Sequence, residues 1–329
     1  MNTKSTFQDQ EKEFPVSDKK GTKIMNSTID RKRIFIFVAI AYGSSIAVGL
    51  ALYFNGGVVV SSPYDYTRLA YVLMIGWMFA PTVANIATRL ITREGWSNTL
   101  LRPNFRRGWR FYLAAWFLPV LAPILGGLIY FLLFRSRFDP SMTSLREMGA
   151  IPKDVNAGMF LITQVGITLA VGAPLNLLLG SFGEEFGWRA YLLPKLMPLG
   201  SRKAVLLLGV IHAVWHYPFI FQGWQYGFGY WGAPLVGALV YVVPVLYLNV
   251  FLSWVTLRSG SVWPAALGHA TINASVFLMS PFVVGDPHWL IGPLPPGIVG
   301  GLGYALLALL IFIRPRALVQ PAAAPVDGA

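Results

Sequence analysis

Seven residues of this 329-residue chain stand out by type and spacing: Glu184, Glu185, Arg189, His212, His216, His269 and Asn273. They lie in Gly183-Glu184-Glu185-Phe186-Gly187-Trp188-Arg189, in His212-Ala213-Val214-Trp215-His216 and in His269-Ala270-Thr271-Ile272-Asn273. On helices, four-residue spacing puts Glu185 with Arg189, His212 with His216, and His269 with Asn273 on common faces. Glu184 is rotated from Glu185 by about 100° and is free to point elsewhere. A carboxylate among apolar groups can act as a general base near neutrality. Imidazoles position water, shuttle protons or bind metals, and an amide beside a histidine can donate to an oxyanion. This set suits attack of water on a carbonyl, and it suits proton transfer equally well.

The elements that must position these groups are membrane-spanning helices. Hydrophobic residues make up 55 % of the chain, charged residues 12 %, and the mean hydropathy is +0.57. Soluble domains carry roughly twice that charge. Eight apolar stretches are long enough to cross about 30 Å of hydrocarbon: 34–54, 69–88, 111–134, 157–180, 203–221, 233–257, 261–280 and 297–313. The expected fold is therefore all-α, a polytopic eight-helix transmembrane bundle over 34–316. It is flanked by a disordered N-terminal tail, 1–33, too long and charged for a signal peptide, and by a C-terminal tail, 317–329. There is no cysteine, which excludes disulfides, thiolate metal sites and cysteine nucleophiles.

Net charge is +12, and its placement explains it without nucleic acid. One alternate set of loops, including both tails and 89–110, holds 21 Lys and Arg; the opposite set holds 5. That asymmetry places both termini in the cytosol, in contact with an anionic bilayer surface. The aromatic run Trp224–Trp231 is expected in the outer interfacial belt.

Of 14 carboxylates, only Glu184 and Glu185 border a span, while His212, His216 and His269 lie inside spans. Such groups are costly in a membrane and normally line a functional cavity. Counted from Arg202 and Ser261, His216 lies about 20 Å deep, His269 about 12 Å and Asn273 about 18 Å. Glu184 reaches that level if its helix runs on to about Leu193, before Pro194, with Pro174 marking a kink. The groups are then expected to meet in a pocket open to the cytosol.

In order and spacing, Glu184-Glu185-x-x-x-Arg189, the Trp215-His216-Tyr217-Pro218 element and His269-x-x-x-Asn273 resemble the CPBP family. That family holds the type II CAAX prenyl proteases, the ras-converting enzymes and bacteriocin-processing or immunity proteins. The resemblance covers about Gly158 to Ser280 and implies an eight-helix intramembrane endopeptidase acting on peptide or lipidated peptide substrates. It implies that Glu184 activates water with help from His216, that His269 and Asn273 stabilise the oxyanion, and that Glu185 and Arg189 form a supporting pair. The family's second motif begins with an aromatic residue where this chain has His212. An alternative register puts Leu208 at that place and His212 at the histidine.

No His-Glu-x-x-His, no Gly-x-Ser-x-Gly and no pair of intramembrane aspartates occurs. No cofactor is required by this pattern, although Glu184, His216 and His269 could hold a divalent metal such as zinc. Two other classes use the same residues: a proton-coupled transporter and a catalytically idle immunity-type protein.

Overall fold

The computed structural model describes residues 29–61, 65–152 and 154–319. Most of the expected tails lie outside these residues. The first helix nevertheless starts at Arg31, three residues before the expected span, because Asp30 caps it by accepting from the Arg33 N–H and pairing with the Arg33 guanidinium at 2.8 Å.

Among the described residues the regular elements are helical, with two isolated β-bridges and no strand. The principal helices are α1 (Arg31–Tyr53), α2 (Arg68–Met78), α3 (Ala80–Thr92), α4 (Phe105–Leu133), α5 (Ala157–Leu199), α6 (Ser201–Trp215), α7 (Leu235–Ser259), α8 (Trp263–Ser275) and α9 (Leu302–Phe312). Five segments are long and apolar enough to cross a membrane: α1, α2 with α3 as one unit, α4, α5 and α7. The other three apolar stretches form shorter helices of 15, 13 and 11 residues. In the first of these a turn at His216 leads into the short helix Tyr217–Ile220; bends at Ser261–Val262 and turns at 276–279 and 297–301 take most of the rest of the other two.

The core is built by α8 packing on α4, α6 on α7, α1 on α3 and α9 on both α4 and α7. Backbone groups freed by helix irregularities find partners, as apolar surroundings demand. Pro123 has no N–H for the Pro119 carbonyl, which instead accepts from Tyr304 Oη at 2.8 Å and Ser275 Oγ at 3.2 Å. Between α1 and α6, Ser45 Oγ donates to the Trp215 carbonyl, and Trp215 Nε1 donates to that of Ala41.

Helix α5 carries the Glu-Glu motif and departs most from regularity. π-Type turns occupy 168–172, 177–181 and 188–192, and Gly180 leaves the helical conformation. The break thus falls at Gly180 rather than Pro174, and helical turns continue through Pro194 to Leu199. Both prolines occupy the first turn after a π-type turn, where a missing N–H is tolerated. The segment 182–187 lies tight against α3. A Cβ on Gly187 would come 2.4–2.5 Å from Pro81, including its backbone, and one on Gly183 2.9 Å from the Met78 carbonyl oxygen. Small residues four apart are what such an approach requires.

Candidate active site

Two side chains of α3 fix the turn that bears the acids. Thr82 Oγ1 donates to the Gly183 carbonyl at 2.6 Å, and Asn85 Nδ2 donates to that of Phe186 at 2.8 Å. Arg89, expected to be a charge determinant of the basic loop, is buried and donates to Asn85 Oδ1 and to the carbonyls of Gly95 and Asn98.

Thus anchored, Glu184 and Glu185 enter a ring of buried polar side chains. Glu184 Oε2 lies 2.9 Å from His212 Nε2. His212 Nδ1 lies 3.3 Å from Asn249 Nδ2, and Asn249 Oδ1 accepts from Arg189 Nη2 at 2.9 Å. Arg189 Nη1 donates to Glu185 Oε1 at 2.9 Å, the i,i+4 pair anticipated from spacing. Glu185 Oε1 lies 2.7 Å from His269 Nδ1, and His269 Nε2 faces Glu184 Oε1 across a gap of 4.0 Å. Helices α5, α6, α7 and α8 each contribute. All six residues are buried, Glu185, Arg189 and Asn249 completely.

Three features differ from the sequence expectation. First, the imidazole in hydrogen-bond contact with Glu184 is His212, not His216. His216 ends α6 and turns its Nδ1 to the His212 carbonyl at 2.9 Å, while its ring stacks on Trp224 with 5.5 Å between centroids. Second, Trp224, Gln225 and Tyr226 are buried rather than interfacial, whereas Phe228 and Trp231 of the same run are exposed. Third, Asn249 was not among the sequence candidates. An amide in the middle of a 25-residue helix, preceded by fourteen residues with no charge or amide, is the signal that could have found it.

A cavity of about 300 Å³ borders Glu184, His212, His216 and His269, and Asn273 lines it one turn beyond His269. Its far wall comes from Tyr66, Trp224, Gln225, Pro295 and Pro296. It therefore runs away from the basic loops, contrary to the expected mouth on their side. A second cavity of about 1120 Å³ lies on the basic-loop side, lined by 96–102 and Asn104 and reaching Arg189. Arg189, with its partner Glu185, stands between the two.

The donor set bears on whether a divalent metal fits here. Among the described residues, Glu184, His212 and His216 offer ligand atoms within 4.8 Å of one another. His269 is not in that group, so the expected trio with His269 is not the one gathered. Ligating imidazoles direct their remote N–H to an acceptor. His216 does so through the His212 carbonyl, but His212 Nδ1 faces the Asn249 amide nitrogen, itself a donor. The trio does not fit a divalent ion, and no step is derived through one.

Five helices long and apolar enough to cross a membrane, packed around a buried acid–imidazole–amide cluster, point to an integral membrane protein. Residues 166–275 match the Rce1-like family of type II CAAX prenyl endopeptidases. CAAX prenyl protease 2 of Methanococcus maripaludis is 29 % identical over 106 residues, 32 % of this chain and 39 % of that protein. The match thus spans well under half of that relative. The family match falls on the stretch that carries the three motifs, and both similarities support the resemblance to the CPBP family.

Proposed function

We propose that this protein is an intramembrane endopeptidase in which Glu184 is the general base. The observation that carries the reading is the position of Glu184, held by His212 at one oxygen and facing a gap to His269 at the other, on the wall of a cavity. A 4.0 Å separation is too long for a direct hydrogen bond, and a substrate water between the two groups reaches both. Glu184 Oε1 takes a proton from that water as its oxygen bonds to the scissile carbonyl carbon. The oxyanion accepts from the Asn273 amide and from His269 in its doubly protonated form, which Glu185 supports at Nδ1. Collapse of the intermediate breaks the C–N bond, and the proton on Glu184 passes to the leaving amine.

In this reading His212 orients Glu184 through Nε2–H, and His216 shapes the cavity together with Trp224. The substrates are membrane-associated peptides, with a prenylated CAAX tail as the first to be tried. Eight crossings result if α6, extended by Tyr217–Ile220, α8 and α9 traverse the bilayer with their flanking turns. The basic loops and both tails then face the cytosol. Reconstituted protein is expected to cleave such peptides and Glu184→Gln to leave them intact. Flux driven by a pH gradient, with no cleavage of any peptide, would instead show a transporter.

A further inference from the structure

Asn249 lies on α7, outside all three sequence motifs, yet its amide has only one orientation compatible with its neighbours. Arg189 Nη2, which can only donate, lies 2.9 Å from Oδ1, and the Val245 carbonyl, which can only accept, lies 2.8 Å from Nδ2. Rotating the amide by 180° would set donor against donor and acceptor against acceptor. One Nδ2 hydrogen serves Val245, and the other faces His212 Nδ1 at 3.3 Å. That nitrogen must therefore accept, and a neutral His212 then carries its proton on Nε2, 2.9 Å from Glu184 Oε2.

We propose that Asn249 is a positioning residue that locks His212 in the Nε2–H tautomer, so that one Glu184 oxygen is held and the other is left free to take a proton. Its effect on rate rests on the endopeptidase reading; the tautomer does not. The lock also separates water activation from metal binding at the same residues. With Nδ1 facing a donor, His212 has no Nε2 lone pair to offer an ion beside Glu184 and His216.

Asn249→Asp is nearly isosteric and keeps an acceptor for Arg189, but it replaces the donor that serves both His212 and the Val245 carbonyl with an acceptor. The proton should move to Nδ1, leaving the Nε2 lone pair against Glu184. Nitrogen-15 NMR of histidine-labelled protein, with the His212 signals identified by their loss in His212→Gln, is expected to show Nε2–H in the wild type and Nδ1–H in the Asp variant. The variant's kcat is expected to fall about 100-fold or more, with KM within about twofold because Asn249 does not line the cavity. Its affinity for Co²⁺ should rise at least about tenfold as the Nε2 lone pair becomes available. A wild-type His212 protonated on Nδ1, or an Asp variant with wild-type kcat, would overturn the assignment. If the Asp variant does not fold, the wild-type spectrum alone decides. A wild type that shows Nε2–H but cleaves no peptide would sink the endopeptidase reading and leave the positioning role standing.

Discussion

His212 Nε2 lies 2.9 Å from Glu184 Oε2, whereas His216, one turn further along α6, directs its Nδ1 to the His212 backbone carbonyl. The difference is geometric. Residues four apart share a helix face, but α6 ends at Trp215, so the ring of His216 sits beyond the last regular turn and against Trp224.

Substitution should separate the two imidazoles. His212→Gln is expected to reduce kcat about 100-fold or more, since it removes the group that orients the base. His216→Gln should cost less than about tenfold. Single-turnover cleavage of a membrane peptide by each variant, normalised to folded protein, reads the difference; equal losses would return His216 to a direct role.

Removal of metal should change little. Cleavage is expected to survive exhaustive chelation, because the gathered carboxylate and imidazoles present the wrong tautomer at His212. Loss of activity on chelation, restored by added Zn²⁺, would contradict this.

Gly187 is expected to tolerate no side chain. A methyl group there meets Pro81 of α3, so Gly187→Ala should destabilise the fold by about 1–3 kcal/mol. It should also loosen the turn held by Thr82 and Asn85, lowering both thermal stability in detergent and turnover. A variant with unchanged melting temperature would show that the helices do not approach this closely.

Stability in acid should depend on Glu94. Partial burial opposes its charge, but the hydrogen bond and charge of Lys195, the Tyr191 hydroxyl and Arg33 outweigh burial and hold its carboxyl below the ordinary 4.5. The folded form is thus favoured above the ordinary value, and that contribution, about 1 kcal/mol for a part-exposed cluster, is lost as pH falls through the lowered value. Melting of the wild type should steepen in its acid dependence relative to Glu94→Gln. Parallel curves would remove Glu94 from the acid response.

The acid motif, the Glu185–Arg189 pair and the His269–Asn273 stripe were legible in the sequence because a 3.6-residue repeat fixes which side chains share a face. The five long helices followed from hydropathy and length. What escaped depends on contacts between helices. The choice of His212 over His216 turns on where α6 ends, and the direction of the cavity turns on how the Trp224–Tyr226 turn folds inward. Asn249 has no histidine or charged residue four positions away, and its meaning emerges only once α7 lies against α5 and α6. The break at Gly180, in place of Pro174, reflects packing of α5 against Met78 of α2, which no local pattern records.

The most direct measurement is peptide cleavage by purified, reconstituted protein beside Glu184→Gln, which keeps the side chain's shape and removes its charge. The wild type is expected to release defined fragments from a membrane-anchored peptide, and the variant to release none above background while retaining the wild-type melting temperature. Equal cleavage by the two proteins would mean that Glu184 does not activate the attacking water.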